Sequence, residues 1–215
     1  LNWKQFLDSS KKYACQIYIG MGWAVGQEKR SSLPFIEELD KNMQFRIWDG
    51  CGYFDGIFRQ RQTIKGQNRL EYISEKNYNA YDEGIGRSIW YICKGDETKV
   101  SEMIQQFSLD RHSDLWRGIG IACSFVGGFE EATLKALLAS AGKHSVQLGI
   151  GAAMVAESCI EADCLTNDID LANRLFNNLS AEEAMKITLK NKSVIDFSLR
   201  DFILQMESDL KNIRQ

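Results

Sequence analysis

Proline is almost missing from this 215-residue chain: Pro34 is the only one, where average usage would give roughly 11. That excludes collagen-like and proline-rich extended architectures and favours helices, which proline interrupts. Long apolar runs are missing too. The longest uncharged stretches are Tyr13 to Gln27, Ile119 to Phe129 and Ser145 to Ala156, short of the ~18–20 residues that a membrane-spanning helix needs. Their glutamines, serines and glycines mark buried helices of a soluble protein, and no transmembrane segment is expected. There is no basic excess: Lys and Arg total 26 against 29 Asp and Glu, a net charge of −3. A general nucleic-acid binder would carry a basic footprint, so no nucleic-acid partner is expected.

The chemistry-bearing motifs are equally sparse. Histidine occurs twice, as His112 and His144. Both sit at the start of an apolar stretch, in similar places one unit apart, and read as turn or capping residues. The six cysteines, Cys15, Cys51, Cys93, Cys123, Cys159 and Cys164, contain no CxxC pair, so a structural zinc site has no spacing support. Most lie in apolar helical stretches, so reduced, buried thiols and a cytoplasmic location are expected. Neither the nucleophile elbow, the paired-histidine zinc motif nor the phosphate-binding loop occurs. No metal and no cofactor are expected, and catalytic residues are unknown. The chain opens on Leu1 rather than methionine, as a piece of a longer protein would, and no charged start precedes an apolar run as in a signal peptide.

Glycine, by contrast, is patterned. A Gly-x-Gly element recurs at Gly20/Gly22, Gly50/Gly52, Gly84/Gly86, Gly118/Gly120 and Gly149/Gly151, at intervals of 30, 34, 34 and 31 residues. Between copies lie helical stripes. Val100, Met103, Ile104 and Phe107 fall at i, i+3, i+4 and i+7, as do Leu134, Leu137, Leu138 and Ala141. Pro34, just after Ser31 and Ser32, suits the first turn of another helix. The unit is therefore a glycine-bearing helix A, a turn and a helix B. A period near 34 is that of tetratricopeptide-like hairpins, and Trp116, Ile119, Gly120, Ala132 and Ala139 match that motif best. The expected fold is all-α: a right-handed helical-hairpin solenoid over residues 1–165. Capping helices over 166–215 belong to the same domain: Asp168 to Asn178, a segment opened by a Ser180/Glu183 capping box, and Val194 to Ile213, whose apolar residues include Phe197.

Each helical glycine costs about 0.8–1 kcal/mol relative to alanine. Close approach of neighbouring helices is the natural offset. The competing reading is nucleotide binding, since Gly20, Gly22 and Gly26, and again Gly50, Gly52 and Gly56, spell GxGxxxG. That fingerprint needs a preceding strand, and no strand pattern surrounds either copy. One unit is irregular: a polar segment after Phe58, with Arg59, Arg61 and Lys65, precedes a short helix B expected at Asn68 to Lys76.

The polar residues within the A helices form columns. Asp49, Glu83 and Arg117 are 34 residues apart, Trp48 and Trp116 share the preceding column, and Tyr53 and Arg87 each follow the second glycine. If the A helices line the concave face, these seven residues form an aromatic and charged strip there. Glu83 with Arg87, and Asp55 with Arg59, have the i, i+4 spacing of helix ion pairs. The strip reads either as internal salt bridges with core tryptophans or as a ligand or peptide groove.

The segments IGMGWAVGQ (19–27), WDGCGYFDGIF (48–58), YDEGIGRSIWYI (81–92), DLWRGIGIACSFVGG (114–128) and LSAEEA (179–184) resemble an uncharacterised bacterial family of enediyne biosynthesis proteins. The resemblance covers roughly residues 13 to 190. Cys51 and Asp55 depart from its pattern. It implies a polyketide-like pathway but no catalytic residue, because the family has no established activity. Together these readings point to a non-catalytic helical-repeat protein. Its partner would be another protein, an apolar intermediate bound in the groove, or further copies of the chain. The alternatives are a structural assembly subunit and an enzyme acting on a polyene-type intermediate with groove carboxylates and Arg87.

Overall fold

Helix accounts for nearly all regular structure. A computed structural model describes residues 3–29, 36, 39–192 and 198–214, and no strand occurs among them. The α-helices are α1 (Trp3–Ser9), α2 (Ala14–Glu28), α3 (Phe45–Phe58), α4 (Tyr78–Ile92), α5 (Glu97–Gln105), α6 (His112–Val126), α7 (Glu131–Ala141), α8 (Ser145–Glu161), α9 (Asn167–Asn177), α10 (Ala181–Lys192) and α11 (Leu199–Arg214). Several starts are capped as the side chains dictate. Asp96 accepts from the Lys99 backbone N–H, and Thr166 from that of Ile169. Ser180 and Glu183 form the reciprocal capping box.

The five Gly-x-Gly helices, α2, α3, α4, α6 and α8, lie side by side in chain order. Contacts advance in the same direction on both partners, with Ile19 beside Gly50 and Phe54 beside Gly26, and Tyr81 beside Gly52 and Ser88 beside Gly56, so the helices run parallel. Their seams are backbone against backbone. A Cβ on Gly52 would collide with the Tyr81 carbonyl oxygen, and one on Gly84 with that of Asp49. The α4–α6 seam repeats this, with Gly86 against Leu115 and Gly118 against Glu83. The helical cost of glycine is thus offset by an approach that no larger residue permits. Two glycines behave otherwise. Gly20 has open space where a Cβ would go, and Gly149 faces the side chains of Asn177 and Arg214 rather than a helix backbone.

Around this array sits a second layer. The apolar stripes of α5 and α7 bury Val100, Ile104, Leu134, Leu137 and Ala141, and Phe107 follows them into the core. Helices α9, α10 and α11 pack on α8 and on one another.

The array also turns back on itself. Near the start of α2, Cys15 Sγ lies 3.2 Å from Ser158 Oγ near the end of α8. Arg46, at the start of α3, places Nη2 3.1 Å from Glu157 Oε2 of α8. The first and fifth glycine helices therefore meet, and their concave face surrounds an interior instead of opening as a long groove.

Two local expectations change. The short helix at Asn68 to Lys76 is a loop ending in a 3-10 turn at Glu75–Asn77, preceded by a π-helical turn at Arg61–Lys65. Side chains hold it: Arg69 and Arg111 both bind Asp82, and Arg111 also donates to the Gln67 carbonyl. The last helix begins at Leu199. Val194 and Phe197, and the Pro34 helix with Ser31 and Ser32, lie outside the described residues.

Candidate functional site

A cavity of about 120 Å³ lies where the array turns back on itself. Helix α2 contributes Cys15, Gln16 and Ile19, α6 contributes Ile121 and Phe125, and α8 contributes Met154, Val155 and Ser158. Two cations stand in this otherwise largely apolar wall, Arg46 from α3 and Arg87 from α4. They are 3% and 7% exposed. Phe125, which is 51% exposed, places an apolar ring at the edge of the cavity facing solvent.

Behind the wall lies a buried charge network. Arg87 Nη1 donates to Asp49 Oδ2 at 2.6 Å. Arg117 Nε donates to Glu83 Oε2 at 2.5 Å and its Nη2 to Asp114 Oδ1 at 2.6 Å. Arg117 Nη1 also reaches Gln147 Oε1 at 2.8 Å. Glu157 accepts from Arg46 and from Lys192 of α10. Such pairs are strongly disrupted when one partner is removed, because the other is left charged and dry. Burial pushes the Asp49 and Glu83 carboxyls upward, against the pull of Arg87 and Arg117 respectively. The pairing is incomplete. Arg46 Nε, Arg87 Nε, Asp49 Oδ1, Glu83 Oε1 and Gln16 Oε1 are buried without a hydrogen-bond partner in the protein. Buried polar atoms are nearly always paired, so three unpaired atoms on residues lining one cavity, with two more in the network behind it, single it out.

Of the seven residues expected in the strip, only Arg87 lines the cavity. Asp49, Glu83 and Arg117 form the network just described, with pairing across helices. Glu83 and Arg87 do not pair at i, i+4; Glu83 takes Arg117, and Arg87 takes Asp49. Tyr53 is half-buried beside them. Its ring lies 4.8 Å from the Arg87 guanidinium and stacks on Tyr91 at 5.5 Å. Trp48 and Trp116 are buried in the apolar core and do not reach the cavity. The Asp55–Arg59 pair forms as expected.

Arg46, Gln16 and the α8 residues were not singled out from the sequence. One signal was present. The column Tyr53, Arg87 continues at the same 34-residue step to Ile121 and Val155, and the last three of these four line the cavity. For Arg46 there was none, since its partner Glu157 is 111 residues away.

Among the described residues no group of His, Cys, Asp and Glu is placed to hold a metal, and no helix is long and apolar enough to cross a membrane. All six cysteines are free; Cys164 is exposed and the others are buried. Fold and site together define an all-helical protein with a small cavity inside a ring of glycine helices. The chain belongs to a family described as proteins of unknown function (DUF1702), whose sequence model matches residues 2–199. That description names neither an activity nor the enediyne setting, and does not mention tetratricopeptide repeats. No curated protein and no solved structure matches the chain significantly.

Proposed function

We propose that the chain is a binding protein for an apolar small molecule with a polar end, held in the cavity enclosed by α2, α3, α4, α6 and α8. The observation that carries this reading is the wall itself. Ile19, Ile121, Phe125, Met154 and Val155 surround two buried arginines whose Nε–H groups have no partner. Sites of this kind pair a largely apolar lining with a few placed polar groups. A cavity of ~150 Å³ accommodates a benzene-sized molecule, so the space suits one ring or a short chain, with any remainder leaving past Phe125. We read the parallel helices as divergent helical-hairpin repeats that have wound tightly enough to enclose the ligand. The polyketide-pathway setting rests on the sequence resemblance alone, and would make the molecule an apolar biosynthetic intermediate.

Acid–base catalysis by Asp49 and Glu83 is less well supported, because both carboxylates are engaged by arginines and neither lines the cavity. Native mass spectrometry of the chain purified from cells co-expressing its neighbouring genes tests the proposal. A small-molecule adduct is expected, and Ile121→Trp, which fills the cavity, should lose it. No adduct, or one with the mass of a protein, overturns this reading.

A further inference from the structure

The proposed cavity raises the question of which polar end it accepts. The buried charges of the network match one for one. Arg46, Arg87, Arg117 and Lys192 stand against Asp49, Glu83, Asp114 and Glu157. Each member has at least one partner of opposite sign, so the network behind the wall carries no net charge to offer an ion. A bound carboxylate, phosphate or ammonium would be an unmatched charge taken out of water, which is costly. What the wall does offer is unsatisfied hydrogen bonding. Arg46 Nε and Arg87 Nε are donors without acceptors, and Gln16 Oε1 is an acceptor without a donor. All three residues line the cavity. Ser158 is already committed, donating to the Met154 carbonyl at 2.9 Å.

We infer that the ligand's polar end is uncharged and both accepts and donates hydrogen bonds, as an alcohol or a primary amide does. Its oxygen takes an N–H from Arg46 or Arg87, and its own O–H or N–H goes to Gln16 Oε1. The inference rests on the cavity being a ligand site, as proposed above. An ionised acid would satisfy the arginines but bring an unmatched charge into the cavity. An ammonium would satisfy Gln16 but meet two guanidinium groups.

Calorimetric titration of the full chain at neutral pH with 1-hexanol, hexanamide, hexanoate and hexylammonium, probes of one chain length, tests this. The alcohol and the amide should bind at least about tenfold tighter than either ion. Gln16 is half-buried, so Gln16→Leu should leave the fold intact while weakening hexanamide by about three- to tenfold. Equal or tighter binding of hexanoate or hexylammonium would overturn the uncharged end and leave the cavity reading standing. Unchanged hexanamide affinity in Gln16→Leu would overturn the assigned acceptor. Failure of all four probes to bind would overturn both the inference and the reading beneath it.

Discussion

Two buried polar clusters sit on neighbouring stretches of α3, and they are finished differently. Around Asp55, which is 0% exposed, the carboxylate accepts from Arg59, from Tyr72 and, at 3.0 Å, from Tyr81. Thr63 of the π-helical turn donates to the Asp55 carbonyl at 3.2 Å, and Cys51 lies 3.5 Å from the Tyr72 hydroxyl. No buried side-chain nitrogen or oxygen of this cluster is left unpaired. Two turns earlier, Asp49 binds Arg87 with one oxygen and leaves the other without a partner, as do Arg46 and Arg87 with their Nε atoms. Both clusters are buried and charged, so burial and charge do not separate a brace from a site. Completeness of pairing does. The Asp55 cluster fastens the loop after α3 to α4, whereas the Arg46–Arg87 wall adjoins space.

The sharpest way to break this comparison is to remove the carboxylate of the brace. Asp55→Ala should cost about 3–5 kcal/mol, because it strands Arg59, the buried Tyr81 hydroxyl and the half-buried Tyr72 hydroxyl. Urea unfolding would measure it, and hexanol binding by the surviving folded fraction should be unchanged. A cost below ~1 kcal/mol would mean that full pairing is no sign of a structural role here.

The same contrast of filled and open space runs along the glycine seams. Gly118→Ala drives a methyl into the Glu83 carbonyl and should destabilise by about 1–3 kcal/mol or more, despite alanine's better helix propensity. Gly20→Ala meets nothing within 4 Å and should stabilise by about 0.8–1 kcal/mol. Paired melting curves decide it. If both substitutions stabilise, the glycines are not packing sites.

At the cavity mouth the effect should be smaller and confined to binding. Phe125→Asp replaces an exposed ring with a charge at the rim. It should weaken hexanol binding by about three- to tenfold while leaving urea unfolding within about 0.5 kcal/mol of the parent. Equal binding would mean that ligands do not pass Phe125.

Much of this fold was legible because glycine spacing and apolar stripes are local signals. The helical segments, the packing role of most Gly-x-Gly pairs, the Ser180/Glu183 box and the Asp55–Arg59 pair all follow from residues within one turn or one repeat. The closure of the array did not, because it rests on contacts between residues 15 and 158 and between 46 and 157, which no period encodes. Without closure the repeat pattern implies an open groove with tryptophans in it. Trp48 and Trp116 instead lie in the core, as a large apolar side chain does when a buried layer is available to it. The charged column was readable as a column, but its partners were not. Glu83 has two arginines within reach by spacing, Arg87 on its own helix and Arg117 one repeat on, and only the helix–helix seam decides that it takes Arg117.

The gentlest test uses cysteine chemistry, with one thiol in each of the two clusters. Cys51 belongs to the Asp55 brace and Cys15 to the cavity wall. Burial pushes the Cys51 thiol up to about 12, so at pH 8 it is almost wholly the unreactive thiol, since the thiolate is the nucleophile. It is also 0% exposed. Cys15 faces space that a small reagent can enter past Phe125. Iodoacetamide applied to the native protein should therefore modify exposed Cys164 first, Cys15 slowly, and Cys51 only after unfolding, as read by peptide mass spectrometry. Saturating 1-hexanol should slow Cys15 and leave Cys164 unchanged. Cys51 reacting as fast as Cys15 would show that the brace opens as readily as the cavity, and pairing completeness would no longer tell the two clusters apart.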